Sequence, residues 1–342
     1  MGVDLADIVS RRKISFEELS GKSVAVDAYN ALYQFLSIIR GVAGEPLMDR
    51  SGRVTSHLSG LFYRTVNLVE KGVKMVYVFD GKPPTLKEAE LKYRMAVKDE
   101  AVVKYKEALR RGDWEEARKY AQMTSRLKDE MVDDAKRLIS LLGVPWVQAP
   151  SEGEAQAAYM AFKGDVWAAS SQDYDSLLFN APRLVRNLTL TGRRKLPGKN
   201  IYVEVEPEIV ELHQVLEELG ITREQLVDLG ILVGTDFNPR GVKGLGPKTA
   251  LKLLKEYGSI ESIQASRPMD LPFNLEEIRS IFLHPTVTDD YRLEWTPPRS
   301  EEIVEFLCGE RDFNEARVRN ALTRVVEAWK RVKERRTLDS YF

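Results

Sequence analysis

The stretch M-V-Y-V-F-D-G-K-P-P, residues 75–84, decides the fold class of this chain. Its five apolar residues are typical of a buried strand, and the Gly-Lys-Pro-Pro that follows marks the end of the element. Asp80 stands directly after the apolar run. A carboxylate in this position lies at the carboxyl end of a strand, where ligands collect in open α/β sheets.

The same pattern recurs along the chain, because acidic residues follow other apolar runs or open helix-like stretches. Seven acids share these positions: Asp27, Asp80, Glu152, Glu154, Asp173, Asp175 and Asp236. Short strand-like runs alternate with longer helical patterns, which predicts an α/β protein with a mainly parallel central sheet flanked by helices. Helices are expected over 209–219 and 223–233, and hairpin-like β sequence extends through Val205.

Acids gathered at one edge of a sheet would repel one another unless divalent cations lay between them, so the first hypothesis is a hard-cation site. Asp173 and Asp175 would point to the same side of an extended segment. A different interpretation stays open for each acid alone, namely a solvated or capping role. Ser151 and Glu154 in particular form an S-x-x-E capping box pattern.

The chemistry predicted from this acid set is phosphodiester hydrolysis with two Mg²⁺ or Mn²⁺ ions about 4 Å apart. No Ser/His/Asp or Cys/His arrangement suggests itself, and no G-x-x-x-x-G-K-[ST] motif is present. The single cysteine, Cys308, excludes a disulfide framework within the chain and a cysteine-rich zinc site.

Charge is uneven along the 342 residues, although the net charge is only −1. The segment 82–128 carries 13 Lys or Arg against 8 Asp or Glu, a net charge of +5, and is short of glycine. A second basic feature is G-V-K-G-L-G-P-K-T at 241–249, which predicts a helix-turn-helix that grips a DNA backbone through Lys243, Lys248 and free N–H groups. The alternative for this turn is an ordinary helix connector.

Six segments together closely resemble the flap endonucleases, a family of structure-specific 5′ nucleases, and the resemblance covers essentially the whole chain in the same order. They are V-A-V-D-A-Y-N-A-L-Y-Q-F-L (24–36), T-S-H-L-S-G-L-F-Y-R-T (55–65), V-Y-V-F-D-G-K-P-P (76–84), A-P-S-E-G-E-A-Q-A-A-Y (149–159), S-Q-D-Y-D-S-L-L-F (171–179) and G-T-D-F-N-P-R-G-V-K-G-L-G-P-K (234–248). The compact form looks archaeal.

The resemblance implies a PIN-like 5′ nuclease fold with a helical arch and a helix-turn-helix element. We expect a single nuclease domain at 1–330, followed by a clamp-binding tail at 331–342. Within the domain, 1–81 would be the N-terminal nuclease part, 82–130 the arch, and 131–330 the internal part with the helix-turn-helix around 222–265.

The resemblance also implies a role for each site residue. The seven acids match the family's metal ligands. Lys87 and Arg94 match the basic pair that meets the scissile phosphate, and Tyr33 matches an aromatic that stacks on a base, although core packing is its alternative. Residues expected at the DNA are Tyr33, Arg64, Lys243, Gly244, Gly246 and Lys248, with a K⁺ ion at the glycine turn.

The last residues, T-L-D-S-Y-F, resemble a sliding-clamp-binding peptide, in which Leu338, Tyr341 and Phe342 would form the hydrophobic plug. Arg335 stands where the usual Gln would be, which puts the affinity for the clamp in doubt. The alternative is that the tail docks on its own domain.

The sequence therefore predicts a two-metal 5′ flap endonuclease and 5′–3′ exonuclease of DNA replication and repair, including Okazaki fragment processing. Its partners would be flapped or nicked duplex DNA and a sliding clamp. We expect a monomer, away from membranes, in the cytoplasm at the nucleoid of an archaeon or in the nucleus of a eukaryote. Two rivals stay open: a related nuclease that cuts bubbles or acts mainly as a 5′ exonuclease, and a non-catalytic junction-binding clamp adaptor.

Overall fold

The structure, a computed structural model, describes residues 2–41, 44–190, 192–195 and 202–339. The strands are β1 (Arg12–Lys13), β2 (Ser23–Asp27), β3 (Lys74–Phe79), β4 (Trp146–Gln148), β5 (Ala168–Ser170), β6 (Arg183–Arg186), β7 (Gly192–Lys195), β8 (Tyr202–Val205) and β9 (Glu208–Glu211). The α-helices are α1 (Phe16–Leu19), α2 (Ala28–Ile38), α3 (Ser56–Glu70), α4 (Glu88–Arg111), α5 (Trp114–Met123), α6 (Asp129–Leu141), α7 (Gly153–Lys163), α8 (Asp175–Leu178), α9 (Leu212–Leu219), α10 (Arg223–Val233), α11 (Pro247–Tyr257), α12 (Ile260–Ser266), α13 (Leu275–Leu283), α14 (Ser300–Val304) and α15 (Glu315–Asp339).

Seven strands form the central sheet, in the order β1-β9-β6-β5-β2-β3-β4. The five strands from β6 to β4 run parallel to their neighbours, and β9 and β1 add an antiparallel edge. At the centre, Ala25 pairs with Val76 on one side and Ala169 on the other, and all three are fully buried. Such burial is expected where helices cover both faces of a parallel sheet. The predicted α/β fold class is confirmed.

The parallel register brings the carboxyl ends of the central strands to one edge. Asp27 is the last residue of β2 and pairs with Val78 of β3, so Asp80 lies two residues beyond that pair. β5 ends at Ser170, three residues before Asp173. The sheet edge therefore gathers acids from three different strands, as the sequence predicted.

The basic segment expected as an arch forms a helical hairpin. A 3-10 turn at Thr85–Lys87 leads into the 24-residue helix α4, which ends at Gly112, where φ is 71°. Helix α5 then returns to the core, where Gln122 and Ser125 near its end accept hydrogen bonds from Ser37 and Arg40, at 3.2 and 2.8 Å. The hairpin is therefore fixed to the sheet domain at both ends.

The glycine turn separates two helices, as expected. It lies between α10 and α11, and Lys243, Gly244, Gly246 and Lys248 are all exposed. Helix α11 has no side-chain cap at Gly246 and begins with Pro247, so its N-cap residue provides no side-chain acceptor for the first N–H groups. This is the geometry in which a helix start can accept a phosphate.

One predicted element is wrong in part. The stretch 209–219 does not form a single helix, because Glu208–Glu211 is strand β9 and only Leu212–Leu219 is helical. Strand β9 pairs with β6 on one side and with β1 on the other. Pairing on both sides outweighs the local helix preference, and the long-range partners carry no signal in the segment itself. The hairpin-like β sequence up to Val205 is confirmed as the antiparallel pair β7 and β8.

The last three residues of the tail, 340–342, lie outside what the structure describes. Helix α15 continues through the backbone of Leu338 to Asp339, while Tyr341 and Phe342 lie outside the described residues. None of the helices in the described ranges is long and apolar enough to cross a bilayer.

Candidate metal centre

Asp27 and Asp173 meet through Asn30. Asp27 is buried and caps α2, accepting a hydrogen bond from the Asn30 main-chain N–H at 3.0 Å. The Asn30 side-chain amide donates to Asp173 Oδ2 at 3.3 Å. Burial raises the pKa of Asp27 well above its ordinary value, and the charges of Asp80 and Asp173 raise it further. These three carboxylates therefore share one electrostatic environment.

Asp80 joins the end of β3 to the start of α7. Its Oδ1 accepts from the main-chain N–H of Gly153 at 2.7 Å. A Cβ on Gly153 would lie only 2.6 Å from this oxygen, so glycine is needed for the close approach. Burial, with the neighbouring charge of Glu152, raises the pKa of Asp80 to about 6.

Glu154 faces the sheet edge and does not serve as part of a cap. Helix α7 begins after Glu152 with no side-chain cap, so the capping box suggested by Ser151 and Glu154 does not form. Instead, the Glu154 carboxylate accepts a hydrogen bond from the Ser171 hydroxyl. Burial and then the charge of Asp175 raise the pKa of Glu154 well above its ordinary value. The capping interpretation is wrong for this residue.

Asp175 is the first residue of the short helix α8 and is almost fully buried. The main-chain N–H of Val3 donates to its Oδ1 at 2.7 Å, which brings the N-terminal segment to the cluster. Burial and the charges of Asp236 and Asp173 raise the pKa of Asp175 to about 7. The expected extended segment is wrong, because Tyr174 between the two acids has helical backbone angles.

Asp236 lies in a turn that Asn238 holds in place. Asn238 Oδ1 accepts from the main-chain N–H and the hydroxyl of Thr235, at 3.1 and 2.7 Å. Lys87 Nζ and Arg94 Nη2 bind the Asp236 carboxylate at 3.2 and 2.5 Å. Although burial would raise the pKa of Asp236, these cations lower it to about 2.

The base of the arch thus places two cations among the acids. Lys87 also forms an ion pair with Glu152, and its side chain is only 13% exposed. Arg94 Nε donates to Glu90 Oε1 at 2.8 Å, so Glu90 orients the guanidinium that reaches Asp236. Seven carboxyl groups therefore surround two cations, which are too few to pair with every acid.

The residues present fit a site for hard divalent cations. The donors are carboxylate oxygens, which Mg²⁺ and Mn²⁺ prefer. Within the described ranges, no three His, Cys, Asp or Glu side chains are arranged so that they could hold one metal ion together. Glu152 and Asp236 are instead bound to Lys87. Burial, and then the charges of neighbouring carboxylates, raise the pKa values of Asp27, Asp80 and Asp175, as expected where acids are gathered for a cation.

The other predicted site residues lie around this cluster or on the helix pair. Tyr33 on α2 is partly buried, and the Lys98 amine of the arch lies 4.2 Å from its ring centre. Arg64 on α3 is half-buried, and burial lowers its pKa. Lys243 and Lys248, with Gly244 and Gly246, belong to the exposed turn before α11.

Several functional contacts were missed from the sequence. Asn30 and Ser171 each bridge or support acids, and both lie inside segments that carry the family resemblance. That location was a usable signal. Glu90 and Lys98 on α4 gave none, because charged residues are common along an exposed helix and only the folded arch brings them to Arg94 and Tyr33.

Known proteins resemble this chain along its whole length. The XPG N-terminal domain matches residues 1–101, and the XPG I-region matches residues 143–236. Flap endonuclease 1 of Ignicoccus hospitalis is 60% identical over 334 residues, which are 97% of this chain and 95% of that protein. Flap endonuclease 1 of Pyrococcus abyssi is 57% identical over 100% of this chain and 98% of its own.

The chain belongs to the flap endonuclease family. The solved flap endonuclease-1 from Methanococcus jannaschii has the same fold, with a TM-score of 0.76 and 46% identity over 96% of this chain and 98% of that one. The catalytic core of Rad2 in complex with a DNA substrate shares the fold at 22% identity, with a TM-score of 0.72 over 95% of this chain and 100% of that one. The family and its archaeal type, expected from the sequence, are confirmed.

Family membership fixes the reaction class. The chain is therefore a nuclease, and its family hydrolyses phosphodiesters with metal ions. The role of each acid and each cation stays a prediction, as do the boundaries between the nuclease parts, the arch and the tail.

Stability in a chelator should depend on pH through the acid cluster. The pKa of Asp175 is raised to about 7, so between about pH 4 and 7 the native protein binds a proton that the unfolded chain has released. The free energy of unfolding in EDTA should therefore fall as the pH rises through this window. Asp175→Asn should be about as stable as wild type at pH 5 and more stable at pH 8, by urea denaturation.

The control for this comparison is Asp7→Asn, because Asp7 is exposed and lies outside the cluster. Its urea midpoint should follow that of the wild type at both pH values. If Asp175→Asn lost stability at pH 8 as steeply as the wild type, Asp175 would not carry the repulsion.

Proposed function

We propose that this chain is a Mg²⁺-dependent, structure-specific 5′ flap endonuclease with 5′–3′ exonuclease activity. It would hydrolyse a phosphodiester near the junction of flap and duplex and leave a 5′-phosphate and a 3′-hydroxyl. Its duty would be DNA replication, including Okazaki fragment processing, and repair. The observation that carries the proposal is the carboxylate cluster at the carboxyl edge of the sheet, in a chain of the flap endonuclease family.

Seven residues would hold two Mg²⁺ ions, for which Mn²⁺ could substitute: Asp27, Asp80, Glu152, Glu154, Asp173, Asp175 and Asp236. Bound ions would supply a deprotonated water at neutral pH and would neutralise the oxygens of an in-line displacement. The chain's own part is to hold the carboxylates in a buried, low-dielectric edge, where charges interact strongly.

Lys87 and Arg94 would meet the scissile phosphate. Their side chains are 13% and 32% exposed, and both already lie among the carboxylates. Metal ions and these cations compete for Glu152 and Asp236, so metal binding would free the cations for the phosphate. A buried cation is preorganised to neutralise charge that develops in the transition state.

The arch and α2 would guide the single-stranded flap. The +5 segment places positive charge beside the acids, which offsets their repulsion of phosphate. Tyr33 would stack on a base near the cut, a contact that every base can make. Lys98 covers one face of this ring, so a stacking base would take the other face or displace the lysine. Arg64 would contribute to holding a one-nucleotide 3′ flap.

The turn at 241–249 would bind the part of the duplex that lies at a distance from the cleavage site. Lys243 and Lys248 are exposed on either side of Gly244 and Gly246, and the start of α11 offers N–H groups without a side-chain acceptor. Contacts of this kind fix position on the backbone without base recognition. A K⁺ ion would bind at this turn.

The tail would bind a sliding clamp through Leu338, Tyr341 and Phe342. Support comes from the sequence alone, because apolar side chains at a solvated terminus call for a partner. The bubble-cutting and adaptor alternatives are separated from the flap endonuclease by substrate. A bubble-cutting enzyme would prefer a bubble to a double flap, and an adaptor would bind the junction without cleaving it in any divalent metal.

Cleavage of a labelled double-flap DNA tests the proposal. With Mg²⁺, the wild type should give one discrete product at the junction, and EDTA should abolish it. Lys87→Ala and Arg94→Ala should each slow the single-turnover rate by roughly 10²–10³-fold, because each removes a preorganised cation. Asp173→Asn should abolish cleavage and retain DNA binding.

The matched control is Lys92→Ala, since Lys92 lies between these two cations on α4 and is exposed. Its rate should stay within about twofold of wild type. Wild-type cleavage by Asp173→Asn, or equal losses at all three cations, would contradict the site assignment.

DNA binding should depend on the glycine turn in a salt-sensitive way. Lys243→Ala and Lys248→Ala should each reduce the slope of log K against log salt by about 1, because each phosphate contact releases a counterion. Lys255→Ala, in the last turn of α11, should leave the slope unchanged. An unchanged slope in all three variants would remove the turn from the interface.

Clamp stimulation should depend on the tail. Replacing Leu338, Tyr341 and Phe342 together with Ala should spare cleavage by the enzyme alone and abolish stimulation by an archaeal sliding clamp. Thr337→Ala, at the position directly before the first anchor Leu338, is the control and should be stimulated normally. Full stimulation of the triple variant would show that the clamp binds elsewhere.

A further inference from the structure

Behind the acid cluster, one arginine holds the loop that carries Asp173. Arg186, the last residue of β6, donates through Nε and Nη2 to the main-chain carbonyl of Gln172, at 3.1 and 3.0 Å. Its Nη1 donates to the Tyr174 hydroxyl at 2.7 Å, and its guanidinium lies 4.3 Å from the centre of the Tyr174 ring. The Arg186 side chain thus forms hydrogen bonds with the residues on both sides of Asp173.

Tyr174 is the side chain that Arg186 binds in this loop. Its side chain is buried, with 2% of the residue exposed, and its hydroxyl also accepts a hydrogen bond from Arg11 Nη1 at 3.1 Å. Arg186 itself is largely buried, at 16% side-chain exposure. A planar guanidinium that meets several acceptors at once fixes orientation as well as distance, which a lysine amine does not do.

The loop needs such a hold because its carboxylates repel their neighbours. Asp175 is almost fully buried, and the Asp173 carboxylate binds the Asn30 side chain, whose main-chain N–H binds Asp27. Among the described residues, the Asp173 carboxylate accepts one hydrogen bond, from the Asn30 side-chain amide at 3.3 Å. Its position is therefore set mainly by the backbone on either side, where Arg186 acts.

We propose that Arg186 is a positioning residue of the metal centre. Through Gln172 and Tyr174 it holds the loop so that Asp173 and Asp175 are preorganised for a divalent ion. The proposal rests on the proposed function, since it requires that these acids bind metal. Outer-shell partners of metal ligands typically account for roughly 10–100-fold in metal affinity.

The same strand offers a matched control. Arg183, three residues earlier on β6, donates to the main-chain carbonyl of Trp167 at 3.4 Å and lies 5.3 Å from its ring centre. It therefore makes the same two kinds of contact as Arg186. Trp167 precedes β5, however, so Arg183 lies at the opposite end of the strands from the acids.

The test is a titration of the DNA-free protein with Mn²⁺, followed by the electron paramagnetic resonance signal of the free ion. Arg186→Ala should weaken the binding of at least one ion by about tenfold or more, and Arg186→Lys by less. Arg183→Ala should bind Mn²⁺ as the wild type does. In flap cleavage, Arg186→Ala should need a correspondingly higher Mg²⁺ concentration for half of its maximal rate.

Tyr174→Phe provides a variant that keeps the buried ring and removes only the hydroxyl acceptor. It should shift Mn²⁺ affinity in the same direction by a smaller factor, and thermal unfolding in EDTA reports whether each variant is folded. Wild-type affinity in folded Arg186→Ala, or equal losses in the Arg186 and Arg183 variants, would overturn the proposal. A wild type that neither binds Mn²⁺ nor cleaves a flap would overturn the proposed function as well.

Discussion

Mutual repulsion among carboxylates at one edge of a parallel sheet is the constraint on which the rest of this structure depends. The parallel register brings Asp27, Asp80 and Asp173 to that edge from three strands. Burial strengthens the interactions between charges there. Burial, and then the charges of neighbouring acids, raise the pKa values of Asp80 and Asp175. Carboxylates with such perturbed pKa values are typical of functional sites, and here cation binding would relieve their repulsion.

The surrounding elements can be understood as supports for this edge. Main-chain N–H groups of Val3 and Gly153 donate hydrogen bonds to Asp175 and Asp80. The arch delivers Lys87 and Arg94 to the acids, which couples a basic hairpin to the sheet through ion pairs. Arg186 restrains the backbone next to Asp173. Fold, charge and candidate chemistry therefore converge on the same few loops.

Much of this architecture was predictable from local pattern. Asp80 after an apolar run and before Gly-Lys-Pro-Pro located both a strand and its end. The other acids, the charged segment 82–128 and the glycine turn followed similar signals, whereas the arch was implied by the family resemblance alone. The strand at Glu208–Glu211 was mistaken for helix because its partners β6 and β1 lie far away in the chain. Arg186 could not be found, because its partner Gln172 becomes a neighbour only when β5 and β6 pair.

The most direct measurement is anomalous diffraction from crystals of the protein soaked in Mn²⁺. The account predicts anomalous peaks among the carboxylates at the sheet edge, with Asp27, Asp80, Glu152, Glu154, Asp173, Asp175 and Asp236 as the surrounding ligands, directly or through water. It also predicts that Lys87 leaves Glu152 when the ions are present. Peaks only elsewhere on the protein, or an edge that stays bound to Lys87 and Arg94 at saturating Mn²⁺, would contradict it.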